Sequence, residues 1–240
     1  MNDYSSARLV RPNNGTIDHN GECVNIAVNG TLMRGLELEP NLVNLGAVFV
    51  HESFTERKYR LFSIDDAHPG MIRVPVSGLE KDLPVSVAVE IWCVRADRLA
   101  TLLTNEPPGL SIGKIMLNDG KTEVLGVLAE PALIVGKKDI SDYPGGGVAN
   151  FRHYIIQEGM RMIDQVLADE PKLNEVETIR AFRTAAETQV QDGNLRGAIE
   201  LLTFAIRKLG LKNRLFQNIP VLPISSIEHV LDILERSRVT

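Results

Sequence analysis

The sequence predicts an α+β protein: a flexible arm over residues 1–22, a small β-barrel over residues 23–150, and an all-α helical extension over residues 151–240. Three observations carry this. Short apolar runs separated by turn chemistry fill the stretch from Cys23 to about Ile134, as in small closed or half-closed barrels. One interior segment alone has helical spacing there. After Pro144-Gly145-Gly146-Gly147 the apolar period changes from strand-like to helix-like.

The elements follow in order. Residues 1–22 are mostly polar and rich in Asn, Ser and Gly, and are expected as a poorly ordered arm. Val24, Ile26 and Val28 alternate into a strand that stops at Asn29-Gly30, and a short helical or coiled start follows through Thr31, Leu32, Met33, Arg34 and Gly35. Such a turn is either a plain structural reversal or a loop whose backbone N–H groups, freed from the ladder, hold a carboxylate or amide oxygen in a barrel mouth. Strands are expected at Ala47–Val50, Tyr59–Ile64, Met71–Val76, Val85–Val94, Ile115–Leu117 and Glu123–Leu133. Turns are expected at Asp65-Asp66, His68-Pro69-Gly70, Asp82-Leu83-Pro84 and Asn118-Asp119-Gly120. Arg95–Asn105 carries Leu99, Leu102 and Leu103 on one helical face and stops before Pro107-Pro108. Gly145–Gly147 reads as a linker. Amphipathic helices are expected at Phe151–Leu167, Asn174–Gln191, Leu195–Leu209 and Ser225–Glu235, with capping boxes at Asn174/Glu177 and Ser225/Glu228. The second and third of these pack antiparallel across Asp192-Gly193-Asn194; one unrepeated hairpin makes a small bundle, not a solenoid.

Composition narrows the function. With 44% hydrophobic and 24% charged residues the chain is of ordinary globular character, and a net charge of −5 with dispersed basic residues gives no nucleic-acid footprint. No apolar run has the length of a membrane span, and the polar first residues have no signal-peptide core, so a cytoplasmic, soluble protein is expected. Cys23 and Cys93 lie in apolar runs and are expected as buried free thiols. The five histidines share no metal-ligand spacing, and no nucleophile elbow or phosphate loop is present, so no metal and no cofactor are expected.

The carboxylate of interest is Glu90. Strand alternation places Ala88, Glu90 and Trp92 on one face and Val87, Val89, Ile91 and Cys93 on the other. Inside a barrel mouth, burial would raise the carboxyl pKa and suit it to proton transfer; on a solvated face it would do nothing.

Taken in order, Val28–Gly35, Gly46–Val50, Tyr59–Phe62, Pro69–Val74, Val89–Trp92, Pro107–Gly113, Asp139–Tyr143 and Gly145-Gly146 resemble the C-terminal domain of allophanate hydrolase, including free-standing relatives without the amidase domain. The resemblance covers about residues 24–154 and implies a γ-glutamylcyclotransferase-like barrel. Asn29-Gly30-Thr31-Leu32 is similar to the cyclotransferases' Tyr-Gly-Ser-Leu ligand loop. It implies a small anionic or amide ligand held by Asn29, Gly30, Thr31, Leu32 and Met33, with Trp92 and Gly113 at the site and Glu90 in the cyclotransferase acid/base position. Two departures stand out. The family's first-loop histidine, used to decarboxylate the amidase product, is Leu32 here, and its Gly-Gly-Trp reads Gly145-Gly146-Gly147. The amidase machinery is absent from the sequence.

Three functions are therefore weighed: a binding or accessory module for a urea-derived carboxylate or amide, with an amidohydrolase as partner; a cyclotransferase-type enzyme using Glu90; and an interaction protein acting through its helices. No nucleic acid or membrane partner is expected, and a homo-oligomer is compatible with all three. Leu32 can neither donate nor accept a proton, so the purified protein should release no CO₂ from the amidase product above background; turnover would reveal another group in the histidine's role.

Overall fold

The computed structural model describes residues 23–74, 83–170 and 175–220. Among these, every strand precedes Phe151 and every element from Phe151 on is a helix. The organising strand is β5 (Ser86–Arg95), whose sequence SVAVEIWCVR is buried along both faces, as expected of a strand covered on each side. On one side it pairs antiparallel with β1 (Cys23–Val28), from Cys23↔Arg95 to Val28↔Glu90. It also pairs antiparallel with β2 (Val48–Phe54), with a bulge between Phe49 and His51 that leaves Glu52 opposite Glu90. The hairpin of β6 (Leu110–Met116) and β7 (Glu123–Ala129) joins β1 through a parallel β1–β7 pairing. A second sheet holds β3 (Tyr59–Ile64) between β4 (His68–Arg73) and β8 (Lys138–Asp139). Isolated bridges run from Tyr59 to Val85 and from Thr55 to Leu117. The result is a mixed-sheet half-barrel, α+β in class.

Several local expectations are corrected. His68-Pro69-Gly70 is strand, not turn: the reversal sits at Asp65-Asp66, both in the left-handed region (φ 52° and 55°), and Pro69 is tolerated because β4 pairs with β3 on one side only. Residues 145–147 are no linker but the turn of a hairpin between β9 (Pro144–Gly145) and β10 (Val148–Ala149), and β10 pairs with Ser86 and Val87 of β5. β7 ends at Ala129 because Pro131 opens a 3₁₀ turn over Pro131–Ile134. Cys23 and Cys93 are not separate buried thiols: both are half-buried and bonded as a disulfide across the β1–β5 ladder, Cα–Cα 5.6 Å. The arm, the Asn174 and Ser225 caps and the helix expected over Ser225–Glu235 lie outside the described residues.

The helices follow from caps and stripes. Helix α1 (Glu39–Asn44) has Pro at its start, and α2 (Ala96–Thr104) continues directly from β5. Asn150 caps α3 (Phe151–Asp169), its side chain accepting from the Arg152 N–H at 2.9 Å. Helices α4 (Val176–Gln191) and α5 (Leu195–Lys208) form the expected antiparallel pair, and Asn194 caps the second. A last turn, α6 (Arg214–Gln217), folds back onto α3. Gly159 makes this close approach workable: a Cβ there would lie 2.8 Å from Phe216 Cζ and 3.3 Å from Leu202.

One continuous apolar core runs from Ile26, Val28 and Trp92 in the half-barrel to Phe182, Leu202 and Phe216 in the helices. Barrel and extension should therefore unfold together. Leu202 is fully buried, so Leu202→Ala should cost about 2–5 kcal/mol. The chain's only tryptophan, Trp92, reports the barrel by fluorescence, while far-UV circular dichroism reports the helices. Both midpoints should shift together in urea; two separate transitions would show that the extension unfolds by itself.

Candidate functional site

The chain leaving β1 makes a run of tight turns. Met33 N–H donates to Gly30 O at 2.8 Å, Leu36 N–H to Met33 O at 3.0 Å and Leu38 N–H to Thr31 O at 2.9 Å. Among the described residues, the backbone N–H groups of Gly30, Thr31 and Leu32 donate to no protein acceptor. Gly30 cannot carry a side chain here, because a Cβ would meet Pro69 Cγ at 2.5 Å. The loop, Pro69 and the start of β6 enclose a cavity of about 210 Å³. Asn29, Gly30, Thr31 and Leu32 line it, with His68, Glu106 and, from the helical extension, Arg214, Gln217 and Asn218. Asn29 is 6% exposed and its Nδ2 has no partner. Burial pushes the His68 pKa down, countered by its hydrogen bond to the Pro69 carbonyl, and pushes the Glu106 carboxyl up. Asn218 Nδ2 donates to Glu37 Oε1 at 2.7 Å, tying the extension to the loop.

Glu90 is elsewhere. It is fully buried and shares its strand face with Trp92, as alternation requires; the indole N–H donates to Oε2 at 3.1 Å. Three further donors surround the carboxylate: Arg34 N–H at 2.9 Å, Arg34 Nε at 3.0 Å and Arg152 Nη2 at 2.6 Å. Burial alone would push the pKa up, but the adjacent Arg152 charge and hydrogen bond, then the Arg34 bonds, hold it below the ordinary 4.5. This is the reverse of the raised value expected from burial, because Arg34 and Arg152 converge there from distant parts of the chain.

The loop and Glu90 thus do not line one cavity. Met33 and Arg34 turn to a second opening beside Ala88 and Arg152. Trp92 packs edge-on against Phe49, ring centroids 5.8 Å apart, and lines neither opening; Gly113 lies in the β6–β7 ladder opposite Gly126, also away from both. Arg152, Arg214 and Glu106 were missed by sequence reasoning, since no local pattern marks them. Among the described residues no group of three or more His, Cys, Asp or Glu is placed to hold a metal ion, and no helix is long and apolar enough to cross a membrane.

The profile of the allophanate hydrolase C-terminal domain matches residues 24–154, over half of the chain. The chain belongs to that family. Among solved structures, c4763, a uropathogenic E. coli-specific protein, is 48% identical over 55% of this chain and 95% of its own, with a TM-score of 0.49. Kluyveromyces lactis allophanate hydrolase is 25% identical over 58% of this chain, with a TM-score of 0.51; the matched part is 22% of that enzyme. A γ-glutamyl cyclotransferase matches at 12% identity over 49% of this chain and 70% of its own, TM-score 0.34. No curated protein matches. The helices beyond Tyr154 lie outside the match to the allophanate hydrolase family.

Glu90 contributes to stability as an anion. With its folded pKa depressed, the contribution is complete above 4.5 and is lost as pH falls through the depressed value. Glu90→Gln strands Arg152 as a buried charge, so at neutral pH it should cost about 3–5 kcal/mol. In urea titrations the gap to wild type should narrow on acidification; a gap independent of pH would show that the carboxylate charge is not what the arginines hold.

Proposed function

We propose that this member of the allophanate hydrolase C-terminal domain family binds a small urea-derived carboxylate or amide in the cavity beside Asn29–Leu32. The observation that carries this is Asn29, which lines the cavity and whose buried Nδ2 has no partner, beside three backbone N–H groups that donate to no acceptor among the described residues. Buried donors are nearly always paired in a finished structure, and an unpaired one costs about 1–3 kcal/mol. A carboxylate or amide oxygen supplies what these donors lack. Arg214 offers a positive charge for a carboxylate, while Glu106 offers an acceptor for the N–H groups of an amide or ureido end. The family relation agrees with this chemistry, since allophanate is urea joined to a carboxylate. On this reading the protein is a binding or accessory module that serves an amidohydrolase of nitrogen metabolism in the cytoplasm.

The acid/base use of Glu90 draws less support. A cyclotransferase base must touch the substrate and hold a proton near neutral pH, whereas Glu90 is covered by four donors and kept ionised.

The probes are malonamate and N-carbamoylglycine, titrated calorimetrically into the full chain. Saturable binding of at least one is expected. Asn29→Leu keeps the volume and removes the stranded donor, so it should weaken binding about tenfold or more and raise stability by about 1 kcal/mol. Arg214→Ala should weaken the carboxylate probes comparably. If neither probe binds, or if Asn29→Leu binds as wild type does, the loop cavity is not the ligand site.

A further inference from the structure

We infer that the second opening, between the half-barrel and the helical extension, is an oxyanion site in which the Glu52 carboxylate occupies the ligand's place. This inference stands on different residues from the loop cavity and does not depend on it. The opening, about 490 Å³, is lined by Arg34, Glu52, Asn118, Asn150, Arg152 and Arg196, among others. Arg196 comes from α5, outside the residues matched by the family profile.

Arg152 carries the argument. It is 6% exposed, and Nη2 is committed to Glu90 and to the Arg34 carbonyl at 2.7 Å. Its Nη1 reaches Glu52 Oε1 only at 3.6 Å, and its Nε has no partner. Arg152 lines the opening, and its guanidinium is held on one edge only, with Nη1 left at long range from its single acceptor there. Arg34 shares the arrangement: Nε holds Glu90, while Nη2 holds Glu52 at 2.8 Å.

The two carboxylates differ in kind. Glu90 is fully buried and fixed, whereas the Glu52 side chain is 62% exposed. They are directly opposite across the β2–β5 ladder, where like charges repel. Glu52 is thus the carboxylate able to leave. Its departure into solvent relieves that repulsion and exposes the outward N–H groups of Arg34 and Arg152. An incoming oxyanion with two or more charged terminal oxygens can bridge both guanidiniums, whereas the single Glu52 Oε1 holds Arg34 Nη2 at 2.8 Å but Arg152 Nη1 only at 3.6 Å. Arg196, half-exposed and paired with Glu200 at 3.0 Å, adds a cation from the opposite wall. The ligand class is a compact oxyanion, either a phosphate group or a dicarboxylate.

Calorimetric titration of the full chain at low ionic strength with inorganic phosphate, and separately with malonate, tests this. Saturable binding of at least one is expected. Phosphate alone would mark a phosphorylated ligand, and malonate alone a carboxylate one; either supports the site. Removing the competing charge in Glu52→Gln should tighten binding about tenfold, and Arg196→Ala should weaken it severalfold. Glu52 and Arg196 are both exposed enough for the variants to fold. Two results would overturn the site: no saturable binding to either wild type or Glu52→Gln, or affinities that are the same in wild type, Glu52→Gln and Arg196→Ala.

Discussion

The buried Glu90 carboxylate is the constraint on which the arrangement depends. An ion taken out of water costs several kcal/mol unless its oxygens are all answered. Here the answers come from three separate places: Trp92 two residues along the same strand, Arg34 at the end of the loop after β1, and Arg152 at the first turn of α3. None of these positions is set by apolar packing alone. The carboxylate specifies where the loop ends and where the first helix of the extension begins, because any displacement leaves a charge unpaired. The same pairing keeps the group ionised. A carboxylate used in this way orders the site but is poorly suited to exchanging protons in it.

The loop between β1 and α1 faces two ways in consequence. Its second half is turned towards Glu90 through the Arg34 N–H and guanidinium. This leaves the first half, Asn29 to Leu32, lining the cavity on the other side, with N–H groups that the turns do not use. The bare Cα of Gly30 lies against Pro69, so the second sheet holds the loop's outer face. A loop pinned on one side by an ion cluster and on the other by a proline ring has its N–H groups ordered by the fold itself.

How much of this the sequence revealed depended on the range of the interaction. Elements defined by local pattern were legible: β1, β3, β5, the Asp119-Gly120 hairpin and the α4–α5 pair. The shared face of Ala88, Glu90 and Trp92 was legible too, since alternation is a property of the strand itself. What escaped was set by distant partners. His68-Pro69-Gly70 has turn composition but becomes an edge strand because β3 is available to pair with it. Gly145–Gly147 resembles a linker but is a hairpin turn because β5 accepts β10. The direction of the Glu90 shift required Arg152, 62 residues away, and the cation of the loop cavity required Arg214 on a four-residue helix that no periodicity marks.

The helical extension is where the chain goes beyond its family's matched region, and its placement bears on the sites more than on the fold. Arg207 donates to the carbonyls of Phe216, Gln217 and Ile219 at 2.8–3.0 Å, capping α6 so that Arg214, Gln217 and Asn218 line the loop cavity. At the other opening, the α4–α5 turn brings Asn194 and Arg196 alongside Arg34 and Arg152. Both contributions rest on one continuous core, so the extension cannot be peeled away without disturbing the walls of both cavities. Polar residues at the rim of a cavity alter which ligands fit and how tightly, without altering the fold beneath. In this chain the half-barrel shared with the family is thus flanked by arginines that come from outside the matched region, Arg196 at one opening and Arg214 at the other.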